Sequence, residues 1–449
     1  MSTTTKQSKA RKSKDRVGLA GVRGTSKPRW LEYAVAFTFA AVPFHAFLTV
    51  WASTVFGHYT LLRLWPELVM VALSVWFFAS GQFPVVWREL SRRGLARVIA
   101  AYLLLNVVYY LVTLFRGEAG VQSASYGLLL NTRLMVWFVL VYAVARQSGW
   151  LAQKWQKIVF IPLGIVSVFA LLQFFILPAD WLRHFGYVKD ITITPIQTIN
   201  QDTSTVRAQS FLRGPNPLGA YVLLGIGLLW AVRLVPRRRV ALLAASAAAL
   251  VVSSSRSAWL GLVLAGAAWL GATRGFVRGR RTVMVALAGV LATLLVVILL
   301  LQVNEGVKNA VLHVNDKSTA AQTSNEDRLA ALQNGVRDVT HEPLGRGLGT
   351  AGPASAHSQA GSRNSENYFL GIAQETGWLG LGLLLLFMYR VAMLLYRQKS
   401  AFSHMLFALF VGLTFVNILS YAWSDVTLVY LFWGLAAIAL ATKRPTHET

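Results

Sequence analysis

Residues 233–281 read RLVPRRRVALLAASAAALVVSSSRSAWLGLVLAGAAWLGATRGFVRGRR. Two apolar runs lie between two arginine clusters, Arg233 with Arg237 to Arg239 and Arg274 with Arg278, Arg280 and Arg281. A single arginine, Arg256, sits at the turn between the runs. A pair of membrane spans would put both clusters on one side of a bilayer and Arg256 alone on the other. The rest of the chain repeats the theme. It has 449 residues, 55% hydrophobic and 14% charged, with mean hydropathy +0.51. A soluble domain carries about 25% charged residues, so this composition belongs in lipid.

Apolar runs long enough for a bilayer core of about 30 Å fall near 33–54, 64–82, 96–115, 125–145, 158–178, 217–232, 240–254, 257–273, 282–303, 367–389, 402–420 and 426–442. The reading is an all-α polytopic membrane protein with about 12 transmembrane helices. The Ser253–Ser255 break reads either as a tight hairpin at the membrane surface or as a re-entrant kink. Residues 1–29 hold nine Lys or Arg and one acid, and with no small-residue cleavage site they read as a retained basic tail, not a signal peptide. Residues 30–443 form the membrane domain, and 444–449 a second tail.

The net charge of +25 at pI ≈ 10.8 would ordinarily suggest nucleic acid. Split by the span map, 29 positive and four acidic residues fall on the side of the termini, and fourteen of each on the other. That is the positive-inside pattern. It predicts both termini in the cytoplasm and no nucleic-acid partner. With no cysteine and eight scattered histidines, no metal site is visible and thiol chemistry is excluded.

The neutral side holds two long segments, 179–216 and 304–366. In the second, Leu329, Leu332 and Val336 recur at helical spacing, which predicts an amphipathic helix over 325–340. Pro343, Gly345, Gly347 and Gly349 end it. Three arginines stand out on this side. Arg207 precedes the turn Arg213-Gly214-Pro215-Asn216-Pro217, Arg256 sits in the Ser-rich turn, and Arg328 opens the amphipathic helix. Arginine is the planar, bidentate partner of phosphate oxygens. The competing reading is a snorkelling side chain at a helix end, weakest for Arg256. Arg133, about two turns inside its span, and Arg116 are further substrate-binding candidates; alternatively Arg133 pairs with Glu375 or Asp425. Glu366 and Asn367 lie where the long loop enters the tenth span, and read either as a helix cap or as a base with an orienting amide. Glu375, nine residues on and about 13 Å along the axis, suits binding more than sharing a reacting atom.

These residues resemble the O-antigen ligase and polysaccharide polymerase superfamily of bacterial inner-membrane glycosyltransferases. The family's His-Asn, nine residues, Gly, two residues, Gly pattern is similar to Glu366-Asn367, Gly377 and Gly380. Its Ser-Arg-Ser/Gly-Ala turn resembles Ser255-Arg256-Ser257-Ala258, and its Gly-x-Pro-Asn turn resembles Gly214-Pro215-Asn216. Its Pro-Leu-x-Gly-x-Gly element resembles Pro343 to Gly349, which contains Arg346. The resemblance runs from about Arg207 to Gly380. It implies a GT-C-like fold with short helices in the large extracytoplasmic loop, in the bacterial cytoplasmic membrane, and metal-independent, inverting glycan transfer with no cofactor.

The donor would be a polyprenyl-diphosphate glycan (an undecaprenyl diphosphate, for instance) and the acceptor a hydroxyl on a glycan, lipid or protein. Membrane lipids surround the enzyme, and a chain-length regulator or flippase is the partner class implied. The roles implied are leaving-group stabilisation by Arg207, Arg256 and Arg328, proton abstraction by Glu366, and substrate binding by Asn367, Asn216, Arg133, Arg116, Glu375 and Arg346. Where ligases have histidine, this chain has Glu366, which tilts the expectation toward a polymerase or a ligase acting on something other than lipopolysaccharide core. A transporter of polysaccharide or lipid-linked substrate is the reading from another class. Its polar groups should sit at the midplane in repeated halves, and no internal repeat is obvious.

Overall fold

The structure, a computed structural model, describes residues 30–199, 202–232, 234–273, 319–356 and 363–442. The two tails, the expected span 282–303 and the start of the 304–366 loop lie outside these residues. Each expected apolar segment inside them falls on a helix. In chain order these are α1 (Trp30–Phe56), α2 (Trp65–Ala79), α3 (Gln82–Arg92), α4 (Ala96–Arg116), α5 (Val121–Ala145) and α6 (Trp150–Phe175). They continue with α7 (Pro215–Ala231), α8 (Pro236–Val252), α9 (Arg256–Thr273), α10 (Thr319–His341), α11 (Tyr368–Arg397), α12 (Ala401–Ile418) and α13 (Val426–Ala441).

Six of these are long and apolar enough to cross a membrane, or seven if α2 and α3, bent by 96° at their junction, count as one span. The chain is therefore a multi-pass membrane protein. The expectation of about 12 spans also counts shorter runs, of which α7 and α13 are apolar helices, and the run 282–303, which lies outside the described residues. Helix ends differ from the apolar runs as well. α6 starts at Trp150 and includes Lys154 and Lys157, because a helix continues past the apolar zone wherever its backbone bonds are satisfied and its charged side chains reach water.

α13 is the axis of the bundle. It is apolar all round, and its residues from Thr427 to Ala441 are all buried, as expected for a helix with no polar face. It packs against α5 most extensively, and also touches α1, α7, α11 and α12. The Ser253–Ser255 turn joins helices that leave on different neighbours: α8 packs on α6 and α7, α9 on α12 and α7. Ser254 takes a left-handed conformation there (φ 49°). Among the described residues the departure from helix is a two-stranded antiparallel ribbon, β1 (Gln197–Ile199) and β2 (Asp202–Arg207), with Gln197 opposite Arg207.

The expected amphipathic helix is present as α10, with its side chains described from Arg328 onward. Its apolar stripe is not what packs. Leu329, Leu332 and Val336 are exposed, whereas Val339 is buried and Gly335 meets Ser365, to which an added Cβ would come within 2.7 Å. Close approach of the backbone, not the leucines, fixes this helix on α11.

α11 is expected as one continuous helix, but it breaks at Gly377 (φ 65°, ψ −170°). The break leaves the carbonyls of Gln374 and Glu375 without helical donors. The Pro343–Gly349 loop supplies them: the Arg346 N–H donates to Gln374 O (2.9 Å) and the Gly347 N–H to Glu375 O (3.0 Å). In return the Trp378 N–H donates to Pro343 O (3.0 Å). A Cβ at position 377 would lie 2.5 Å from Pro343 O, in a backbone region open essentially to glycine alone.

Gly377→Ala is therefore expected to destabilise the protein by roughly 2 kcal/mol or more, read as a lowered midpoint of thermal unfolding in detergent. An unchanged midpoint would mean that the loop and the break are not coupled as described.

Candidate active site

β2 delivers Arg207 to the turn between α8 and α9. Its Nε donates to Ser253 O (3.0 Å), and one Nη donates to both Ser254 O (3.2 Å) and Asn216 Oδ1 (2.9 Å). The guanidinium is thus held by two carbonyls and an amide oxygen, none of which carries a formal charge. Arg256 opens α9 directly after that turn. Burial, then the positive charges of Arg328 and Arg256, hold the Arg207 pKa down to about 10. Three arginines from separate elements therefore lie within electrostatic reach of one another. Like charges gathered this closely favour the approach of an anion.

Arg328 reaches the cluster from α10. It is seven residues, about two turns, before Gly335, so the face that packs on Ser365 also presents Arg328. Its Nε lies 2.9 Å from Glu366 Oε2, both side chains being about half exposed. Glu366 itself is left-handed (φ 50°), uncommon for a residue with a Cβ. Neighbours hold it there. Its N–H donates to Asn364 Oδ1 (3.1 Å), and Ser365 Oγ is 3.1 Å from the Tyr421 hydroxyl. Asn367 caps α11, its Oδ1 accepting from the Phe369 and Leu370 N–H groups at 2.9 and 3.0 Å. The two sequence neighbours have thus divided their tasks: Asn367 caps, and the Glu366 carboxylate stays out of the cap and turns to Arg328.

Beside the arginines opens a cleft of about 360 Å³, lined by Arg207, Arg213, Asn216, Tyr421, Ser424 and Asp425 among others. Arg213, Tyr421 and Ser424 were not singled out by sequence reasoning. Arg213 belongs to the Gly-Pro-Asn turn, which is the signal that could have marked it. Tyr421 and Ser424 lie in the connector between α12 and α13, which has no distinguishing pattern.

The remaining predicted site residues are placed elsewhere. Glu375 is buried in α11; its oxygens accept from Asn131 Nδ2 and the Gly349 N–H, both at 2.8 Å, so it braces the Pro343–Gly349 loop. Arg346 projects from that loop to Glu118 (2.8 Å). Arg133 is buried in α5, 3.3 Å from Glu67 Oε1, and donates to Ser424 O; its carboxylate partner is Glu67, where the sequence reading allowed for Glu375 or Asp425. Arg116 is exposed at the end of α4. Nearby, Arg363 lies 2.8 Å from Glu342 Oε2, and this guanidinium holds the Glu342 carboxyl below its ordinary pKa.

Comparison with known proteins adds to this geometry. Residues 240–387 match the family model described as O-Antigen ligase, a stretch running from α8 through α9 and α10 into α11. A protein of Salmonella muenchen named O-antigen polymerase is 32% identical over 132 residues, 27% of this chain and 33% of that protein. The chain thus aligns with about a third of that relative's length.

An anion that satisfies the three arginines should stabilise the fold by mass action. Inorganic pyrophosphate at a hundredfold excess over its dissociation constant is expected to add about 2.7 kcal/mol, seen as a raised unfolding temperature. Arg207→Gln and Arg256→Gln should abolish that gain. A gain that persists in both variants would place the anion elsewhere.

Proposed function

We propose that the chain, which matches the O-antigen ligase family model through residues 240–387 and is similar to a protein named O-antigen polymerase, is a glycan transferase of that family acting on a polyprenyl-diphosphate donor. The donor's diphosphate sits against Arg207, Arg256 and Arg328 at the extracytoplasmic face of the cytoplasmic membrane, with both termini of the chain on the opposite side. As the glycosidic bond breaks, negative charge grows on the departing diphosphate and the guanidinium groups stabilise it. An acceptor hydroxyl gives its proton to Glu366 and attacks the anomeric carbon from the side opposite the leaving group, inverting it. The observation that carries this reading is the Arg328–Glu366 contact, which places a carboxylate beside the arginine cluster.

That contact also gives the steps an order. While Arg328 holds Glu366 Oε2, that oxygen is occupied. A diphosphate that competes for Arg328 releases the oxygen for the acceptor hydroxyl, so donor binding prepares the base. Asn216, bonded to Arg207, fixes the guanidinium's orientation.

Between acceptors, the reading favoured is polymerisation onto a second lipid-linked glycan. It is supported by Glu366 standing where ligases carry histidine and by the similarity to a protein named O-antigen polymerase. Transfer to a lipid, wall or protein acceptor is the alternative.

Purified protein incubated with a lipid-linked oligosaccharide is expected to yield longer lipid-linked chains; glycan moved to a new anchor would indicate a ligase instead. Glu366→Gln should lower the rate by about 100-fold or more with the unfolding temperature unchanged. If Glu366→Gln retains full activity, the base is another residue. If the wild type forms no product while export of a small solute depends on it, the protein is a transporter.

A further inference from the structure

Behind Arg213 lies a second chamber, of about 130 Å³, which shares Arg213, Ser424 and Asp425 with the larger cleft. Its walls come from α1, the connector after it, α2, α5 and the start of α13. The charged groups lining it are Arg63, Arg133 and Arg213 against Glu67 and Asp425, an excess of one positive charge. Tyr59 and Tyr126 add aromatic surface, with the Arg63 guanidinium 4.7 Å from the centre of the Tyr126 ring.

The lining side chains include buried polar atoms with no hydrogen-bond partner among the described residues, His45 Nδ1, Glu67 Oε2 and Arg133 Nε among them. Arg133 is only 2% exposed. Each such atom costs about 1–3 kcal/mol when left unsatisfied, and native proteins keep them where a water or ligand meets them.

The mixture of orphans narrows the occupant. Arg133 Nε–H is a donor and Glu67 Oε2 an acceptor. A lipid chain would satisfy neither. A phosphate, which presents mainly acceptors, would leave Glu67 Oε2 unmet. A ring bearing hydroxyl groups donates and accepts at once. At about 130 Å³ the chamber has room for several waters or for one six-membered ring, and it is about a third the size of the cleft beside it.

Building on the glycan-transfer reading, we propose that this chamber is a sugar subsite. It takes one ring of the glycan, and its surplus positive charge selects a ring that carries a carboxylate. It thereby decides which repeat unit reaches the arginine cluster on the other side of Arg213.

The test is saturation-transfer NMR on the full chain in lipid nanodiscs, with D-glucuronate and D-glucose as probes. Glucuronate is expected to bind about fivefold more tightly than glucose, the gain of a charge-assisted over a neutral hydrogen bond. Arg63→Gln should erase that preference and Arg63→Lys keep it, while Ala46→Leu, which fills the chamber, should remove both signals. Arg207→Gln, outside the chamber, should leave glucuronate binding intact. Equal response to the two sugars, no response to either, as from a chamber that holds only water, or indifference to Arg63→Gln and Ala46→Leu would overturn the proposal. Glucuronate binding by a wild type that shows no transfer would uphold the subsite and remove the transferase reading instead.

Discussion

The arrangement of the loop-bearing face depends on one constraint: backbone polar groups exposed by a break in a membrane helix must find partners inside the protein. α11 breaks at Gly377, and the Pro343–Gly349 loop fills the gap with its own N–H and carbonyl groups. The same loop ties in α4 and α5, for the Leu348 N–H donates to Thr113 Oγ1 and Ser123 Oγ lies 2.8 Å from the carbonyls of Gly349 and Ala354. Glu375 completes the brace from below through Asn131 and Gly349. Because α10 runs directly into this loop, the brace also sets where Arg328 arrives.

Against that frame the arginine cluster is electrostatically costly. Arg207 is held by carbonyl and amide oxygens, and burial, then the neighbouring positive charges, press its pKa down to about 10. Glu366 contacts Arg328 from a left-handed backbone conformation. An anion arriving at the cluster would relieve that cost. The separation between groups that hold the scaffold and groups left open to the cleft is the more useful result. Glu375, Arg346 and Asn367 bond to the scaffold away from the cleft, whereas Arg207, Arg213 and Asn216 line it.

The sequence by itself determined the class of the molecule and, among the described residues, where its apolar helices lie. Both follow from one-dimensional facts: how long an apolar run lasts and where Lys and Arg interrupt it. It also marked Arg207, Arg256, Arg328 and Glu366, since each is a charge placed where an apolar chain has little reason to spend one. Only the tertiary structure decided which of the marked residues meet. Arg133 finds Glu67 across 66 positions, Glu375 finds Asn131 across 244, and Arg328 finds Glu366. Such pairings depend on how helices distant in the chain are stacked, and on the break at Gly377 that turns α11 beneath the loop. Helix periodicity reports which side chains share a face, but not which neighbour that face will meet. The exposed leucines of α10, packed through Gly335 instead, are the clearest case.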